Sequence, residues 1–219
     1  MSKSKGDLVS KEKRLFTKCI SISFALIFLL TGPISSLVAG NEAGKVKSIV
    51  CSACHGQDGN SINPLWPSLA GQHKQYTINA LKAYLNGARV NAVMQAQLMA
   101  LTEQDFEDIA AYYNTQTMQK KDYDFGLAKK GESLYRGGNA STGVAACIAC
   151  HGPTGRGNPG AGYPSIAGQH AEYTEDALKQ YKKAERKAGL NDMMQSLAAR
   201  LTTEEIEAVS EYIQALGSE

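Results

Sequence analysis

The sequence predicts an all-α fold made of two similar domains in tandem, and three observations carry that expectation. The chain of 219 residues repeats itself at a period of about 95 to 100, too long for a solenoid unit and right for a small domain. Apolar residues recur at three- and four-residue steps in each copy, and no segment alternates with the period of two that a half-buried strand requires. Each copy also sets a Cys-x-x-Cys-His segment between helical stretches and loops rich in Gly and Pro.

Taken in order, "GKVKSIVCSACHG" has helical spacing that runs into the first motif, and "CSACHG" (Cys51 to Gly56) matches "CIACHG" (Cys147 to Gly152). The loops "GQDGNSINPLWP" and "GPTGRGNPGAGYP" follow. "WPSLAGQHKQYTINALKAY" (Trp66 to Tyr84) then matches "YPSIAGQHAEYTEDALKQY" (Tyr163 to Tyr181), and Arg89 matches Arg186. In this middle helix Tyr76, Ala80, Leu81, Tyr84 and Leu85 share one face. "MQAQLMALTEQDFEDIAAYY" (Met94 to Tyr113) matches "MQSLAARLTTEEIEAVSEYI" (Met194 to Ile213). The last helix of each copy opens on a hydroxyl three residues before a carboxylate, Thr102 with Asp105 and Thr202 with Glu205, the pattern of a capping box. Phe106, Ile109, Ala110 and Tyr113 form its apolar stripe, echoed by Ile206, Val209, Ser210 and Ile213. The polar segment "TQTMQKKDYD" marks the seam, so the expected division is a first domain at 41–117, a linker at 118–124 and a second domain at 125–219. Either domain alone is little protein to form a core, and a bulky apolar group would help fill it.

The N-terminus is read as an export signal over 1–40. Lys3, Lys5, Lys11, Lys13, Arg14 and Lys18 precede the apolar run "CISISFALIFLL", and Gly32-Pro33 breaks it ahead of a cleavage site near Ala39/Gly40. That run is shorter than the roughly 20 residues that span a bilayer, and an uncleaved anchor is the alternative. The expected location is the periplasm. The formal charge of +2 owes much to this segment: from Asn41 onward 17 basic groups meet 19 acidic ones. Such a balance excludes nucleic acid as a partner, because phosphate binding needs a basic face. Counted to Lys121, the first half is near +1 and the remainder near −3.

In Cys-x-x-Cys-His, two thiols stand close enough to add to the two vinyl groups of haem, and the adjacent imidazole can reach the iron. Cys51, Cys54 and His55 would hold one haem c; Cys147, Cys150 and His151 would hold a second. Structural zinc wants four protein ligands, and His73 and His170 lie too far along the chain to complete a finger-like set. A thioredoxin-type dithiol lacks its βαβ setting, and a Cys-x-x-Cys disulfide leaves the histidine unexplained. For the sixth ligand, a soft thioether suits an electron-transfer haem, and Met94 and Met194 fall at equivalent places, each eight positions before the threonine that opens the last helix. Met193 is the rival in the second half, while Met99 matches Ala199 and reads as filler. His73 and His170 offer a bis-histidine alternative; the reading preferred here makes them partly exposed helix-start residues. Pro67 and Pro164 could supply the carbonyl that a ligating imidazole bonds with its second nitrogen, or only shape a loop. Arg89 and Arg186 fit either haem propionates or a solvated surface, and Trp66 and Tyr163 either a haem wall or core.

These motifs, with two "P-S-[LI]-A-G-Q" segments and a methionine ahead of each last helix, resemble the di-haem cytochrome c4 family from about Gly44 to Leu216. The resemblance implies two cytochrome c domains related by a pseudo-twofold axis, His/Met ligation of both irons, and propionate edges near the interface. It further implies a monomeric electron carrier and not an enzyme, periplasmic, soluble or loosely associated with the membrane. Its partners would be a membrane-bound donor complex and a terminal oxidase, notably of the cbb3 type. The second function considered is a haem subunit or di-haem enzyme of thiosulfate or sulfide oxidation. The extra "GGNASTGVAA" (137–146) departs from the pattern, lengthening the loop ahead of Cys147 and leaving that local structure, not the ligation, open.

Overall fold

Gly44 and Gly131 let two pairs of helices approach until their backbones touch, and the rest of each half is built around that contact. The computed structural model describes residues 41–187 and 192–216; the expected export signal lies outside them. In the first half the chain is helical over 41–47 (α1), turns at Ser48, and continues as α2 (Ile49–His55) into the first motif. There follow α3 (Lys74–Leu85), α4 (Ala92–Leu98) and α5 (Glu103–Asn114). The second half comprises α6 (Phe125–Gly137), the single turn α7 (Ile148–His151), a 3₁₀ turn (Pro159–Ala161), α8 (Ala171–Lys182), α9 (Met193–Ala198) and α10 (Thr203–Ala215). No strand occurs among the described residues, only isolated bridges at Asn139 with Val144 and Asn158 with Tyr163. No described helix is long and apolar enough to cross a membrane.

The last helix is the spine of each half. Both capping boxes form, Thr102 with Asp105 and Thr202 with Glu205, so orphan N–H groups at each start are satisfied locally. Phe106, Ile109, Ala110 and Tyr113 are buried to 2% exposure or less, as the stripe requires, and Ile206, Val209, Ser210 and Ile213 to 4% or less. A Cβ on Gly44 would overlap the Asp108 carbonyl of α5, and one on Gly131 would overlap the Ala208 carbonyl of α10. In the first half Lys47 adds ion pairs to Asp105 (2.6 Å) and Asp108 (2.7 Å), which hold both carboxyls below their ordinary range.

One local reading needs correction. The face of α3 that enters the core carries Thr77 and Ile78, with Leu81 and Tyr84 partly buried against the same cluster, whereas Leu85 is 39% exposed; Tyr76 and Tyr84 also reach two arginines described below. Before the second motif the added segment lengthens the loop as expected: 138–147 are non-helical, closed by the Asn139–Val144 bridge and by Arg200 Nη1 donating to the Gly143 carbonyl (2.6 Å). The helix that runs into the motif in the first half is therefore reduced to one turn in the second.

The halves dock through the repeated Ser and Gln of "PS[LI]AGQ". Ser68 N–H donates to Gln169 Oε1 (2.9 Å) and Gln169 Nε2 donates back to the Ser68 carbonyl (2.9 Å). In mirror fashion, Ser165 N–H donates to Gln72 Oε1 (3.0 Å) and Gln72 Nε2 to the Ser165 carbonyl (2.8 Å). His170 Nε2 bonds the Ser61 carbonyl (2.8 Å), and His73 Nε2 the Arg156 carbonyl (2.7 Å). Each bond has its counterpart from the other half, which is the signature of pseudo-twofold docking. The two histidines do start α3 and α8, but His170 is buried at 8% exposure rather than partly exposed, since it is spent on this interface.

Gly131→Ala should lower unfolding stability by about 1–3 kcal/mol in denaturant titrations, the usual cost of overpacking. Gly137→Ala, where an added Cβ meets nothing within 4 Å, should be neutral or stabilising by about 0.4–1 kcal/mol.

Candidate functional site

His55 closes α2 with its ring buried at 6% exposure, and its Nδ1 lies 2.8 Å from the Pro67 carbonyl. A carbonyl only accepts, so Nδ1 carries the proton and the lone pair is left on Nε2. His151 repeats the arrangement at the end of α7: 8% exposed, Nδ1 at 3.0 Å from the Pro164 carbonyl. Burial holds both imidazoles below their ordinary pKa, with the proline carbonyls opposing it, so each ring is neutral near pH 7. The two prolines therefore do more than shape loops. Gly56 and Gly152, at φ +78° and +74°, turn the chain out of the motif so that the loop can fold back over the ring.

All four motif cysteines are free and partly buried. Burial raises the Cys51 thiol, and raises the Cys147 thiol to about 11. Cys51 packs against Ile109, Tyr112 and Tyr113 of α5, and Cys147 against the second-half core. Met94, in α4, is partly buried against Ile78, Leu98, Phe106 and Ala110, and the Asn91 side chain caps its backbone N–H (3.0 Å). Met194, in α9, packs on the second-half core. Met99 and Met193 are 78% and 44% exposed. Trp66 is 42% exposed and so is not a core residue, while the Tyr163 ring lies 6.4 Å from that of His151.

The two matched arginines meet at the interface. Arg89 Nη2 and Arg186 Nη1 both donate to the Tyr173 hydroxyl (3.2 Å each), and Arg186 Nη2 reaches the Tyr76 hydroxyl (3.4 Å). Arg89 lies over the Tyr84 ring and Arg186 over that of Tyr181. Among the described residues no carboxylate takes part, although Arg186 is only 5% exposed and its Nε is buried with no hydrogen-bond partner. Two neighbouring guanidinium groups without an anion are costly to bury. A solvated-surface role for Arg186 is thereby excluded, and an orphaned donor between two positive charges suits an incoming carboxylate. Haem c fits this chain on three counts: it brings two carboxylates, it takes the two thiols, and it needs an imidazole with Nε2 free.

The interface roles of Gln72, Gln169, His73 and His170 were not anticipated. Their one signal was the tetrapeptide "AGQH", identical in both copies while the two residues directly after it differ.

Comparison with known proteins agrees with this geometry. The family model described as cytochrome c matches residues 43–117 and again 128–217. Cytochrome c4 of Thiocapsa roseopersicina is 47% identical over 181 residues, covering 82% of this chain and 94% of the relative. The crystal structure of reduced recombinant cytochrome c4 from Pseudomonas stutzeri superposes with a TM-score of 0.76 at 42% identity, covering 80% of this chain and 97% of that one. A thiosulfate dehydrogenase electron acceptor of Thiomonas intermedia (strain K12) is 34% identical over 170 residues, 75% of this chain and 77% of the relative. Two matches to one domain model, over a helical pair docked on itself, mean that the chain belongs to the cytochrome c4 family: electron-transport proteins whose tandem domains hold covalent haem c, here through Cys51 with Cys54 and Cys147 with Cys150.

Proposed function

We propose that this chain is an exported, monomeric di-haem carrier that passes electrons from a membrane-bound donor complex to a terminal oxidase of the cbb3 type. His55 with Met94 would ligate one haem iron, and His151 with Met194 the other. The observation that carries the reading is that both halves keep the same complete set: a neutral imidazole pinned at Nδ1 with Nε2 to give, and a partly buried methionine on the helix before the spine. Haem iron supplies a one-electron couple. The protein's part is to present imidazole and thioether, keep water out, and hold two such sites rigidly through the glutamine clamp. With an imidazole and a thioether both given to each iron, no position there would be left for a substrate, which argues for a carrier over an enzyme. Residues 1–40 act as a signal cut near Ala39/Gly40, with domains at 41–117 and 125–219 joined by 118–124. Periplasmic residence follows from that signal, and loose attachment to the membrane surface is compatible with it.

A second reading takes its support from the Thiomonas relative, named as the electron acceptor of a thiosulfate dehydrogenase. On that reading the donor is a sulfur-oxidising enzyme, or the chain is its haem subunit.

Met94→His should lower the potential of one haem and remove its sulfur-to-iron absorption band while the other haem is nearly unchanged; an intact band would refute Met94. Cys147→Ser with Cys150→Ser should halve covalent haem in the pyridine haemochrome assay. The reduced protein should be reoxidised by membranes that contain the oxidase. Thiosulfate turnover by the purified chain alone would favour the second reading.

A further inference from the structure

We propose that the interface glutamines act in trans, Gln169 of the second half tuning the first-half ligand His55 and Gln72 of the first half tuning His151. This rests on the reading of those histidines as axial ligands. One peptide group joins Pro67 to Ser68. Its carbonyl accepts from His55 Nδ1 (2.8 Å), and its N–H donates to Gln169 Oε1 (2.9 Å). Hydrogen bonds at the two ends of a peptide polarise each other, so donation from the N–H makes the carbonyl a stronger acceptor. A stronger acceptor draws the Nδ1 proton and leaves Nε2 a more basic ligand, which favours the oxidised metal. The Pro164–Ser165 peptide stands between His151 Nδ1 (3.0 Å) and Gln72 Oε1 (3.0 Å) in the same way.

Several features make the glutamine more than a fastener. Its Nε2 donates back to the Ser68 carbonyl (2.9 Å) and its Oε1 also takes the His170 N–H (3.0 Å), so the amide has one orientation, with oxygen towards the Ser68 N–H. Ser68 is 3% and Gln169 9% exposed, so water does not readily replace the lost amide. Gln72 and Ser165 are only half-buried, and the effect on the second half is correspondingly weaker. A clamp that merely held the halves together would disturb both irons alike. A bond made through one peptide group has an address, the histidine of the opposite half.

The test is a redox titration of holoprotein followed by NMR through the assigned methyl resonances of Met94 and Met194, which report the halves separately and show by their ring-current shift whether each methionine ligates iron. Gln169→Met should raise the midpoint potential of the first-half haem and leave the second within error. Gln72→Met should raise the second by a smaller amount and leave the first. If Gln169→Met loosens the docked pair, Gln169→Asn, which keeps the amide but withdraws it by one carbon, should still move the first-half haem in the same direction. Equal shifts in both haems, a shift in the mutated half alone, or no shift would overturn the inference with the ligand reading intact. Wild-type methyl resonances without ring-current shift would overturn the ligand reading itself, and the inference with it.

Discussion

A buried imidazole whose Nδ1 is committed to a proline carbonyl is the interaction on which the rest of this structure depends. It fixes the tautomer, and so decides which nitrogen can meet a metal. It also fixes the path of the chain, because Pro67 must fold back over the motif that ends at His55, twelve residues earlier. Once the proline is there, the next residue is already at the surface of the half, with the N–H and carbonyl of Ser68 turned outward to Gln169. Ligand placement and docking are consecutive steps along one short segment, and the second half does the same with Pro164 and Ser165.

This economy answers a difficulty of size. A unit of fewer than 100 residues buries too little surface to be comfortable alone. Each half here gains by three routes: a glycine that lets its helices touch, a covalent prosthetic group that completes its interior, and a twin that covers its polar loop. The third route is double-edged. Arg89 and Arg186 meet between the halves among four tyrosines, with no carboxylate among the described residues bonded to them, so their positive charge is met by phenol groups alone. A carboxylate-bearing group bound at that point would relieve the charge and strengthen the docking together.

The close repeat conceals an asymmetry. The first half enters its motif along a nearly continuous helix, while the second arrives by the loop 138–147 and a single helical turn, held to the body by Arg200 and by Asn139 donating to Glu205 (2.7 Å). The docking bonds are unequal too, with His170 buried and His73 half-exposed. Two sites with the same candidate ligands therefore sit in different surroundings, which is the physical precondition for different potentials.

What the sequence determined by itself was everything that local spacing controls. The pentapeptide that holds haem, the capped last helices, the apolar stripe of Phe106 to Tyr113 and the duplication are each written in residues a few positions apart. The position of the ligand candidates Met94 and Met194 was read from register between the copies. Only the tertiary structure decided the use of "AGQH", the burial of His170 and Arg186, and the turn of α3 that brings Tyr76 and Tyr84 to the arginines. Those outcomes depend on partners about a hundred positions away in the opposite half, and a hydrogen bond across an interface leaves no periodicity in either strand of sequence that makes it.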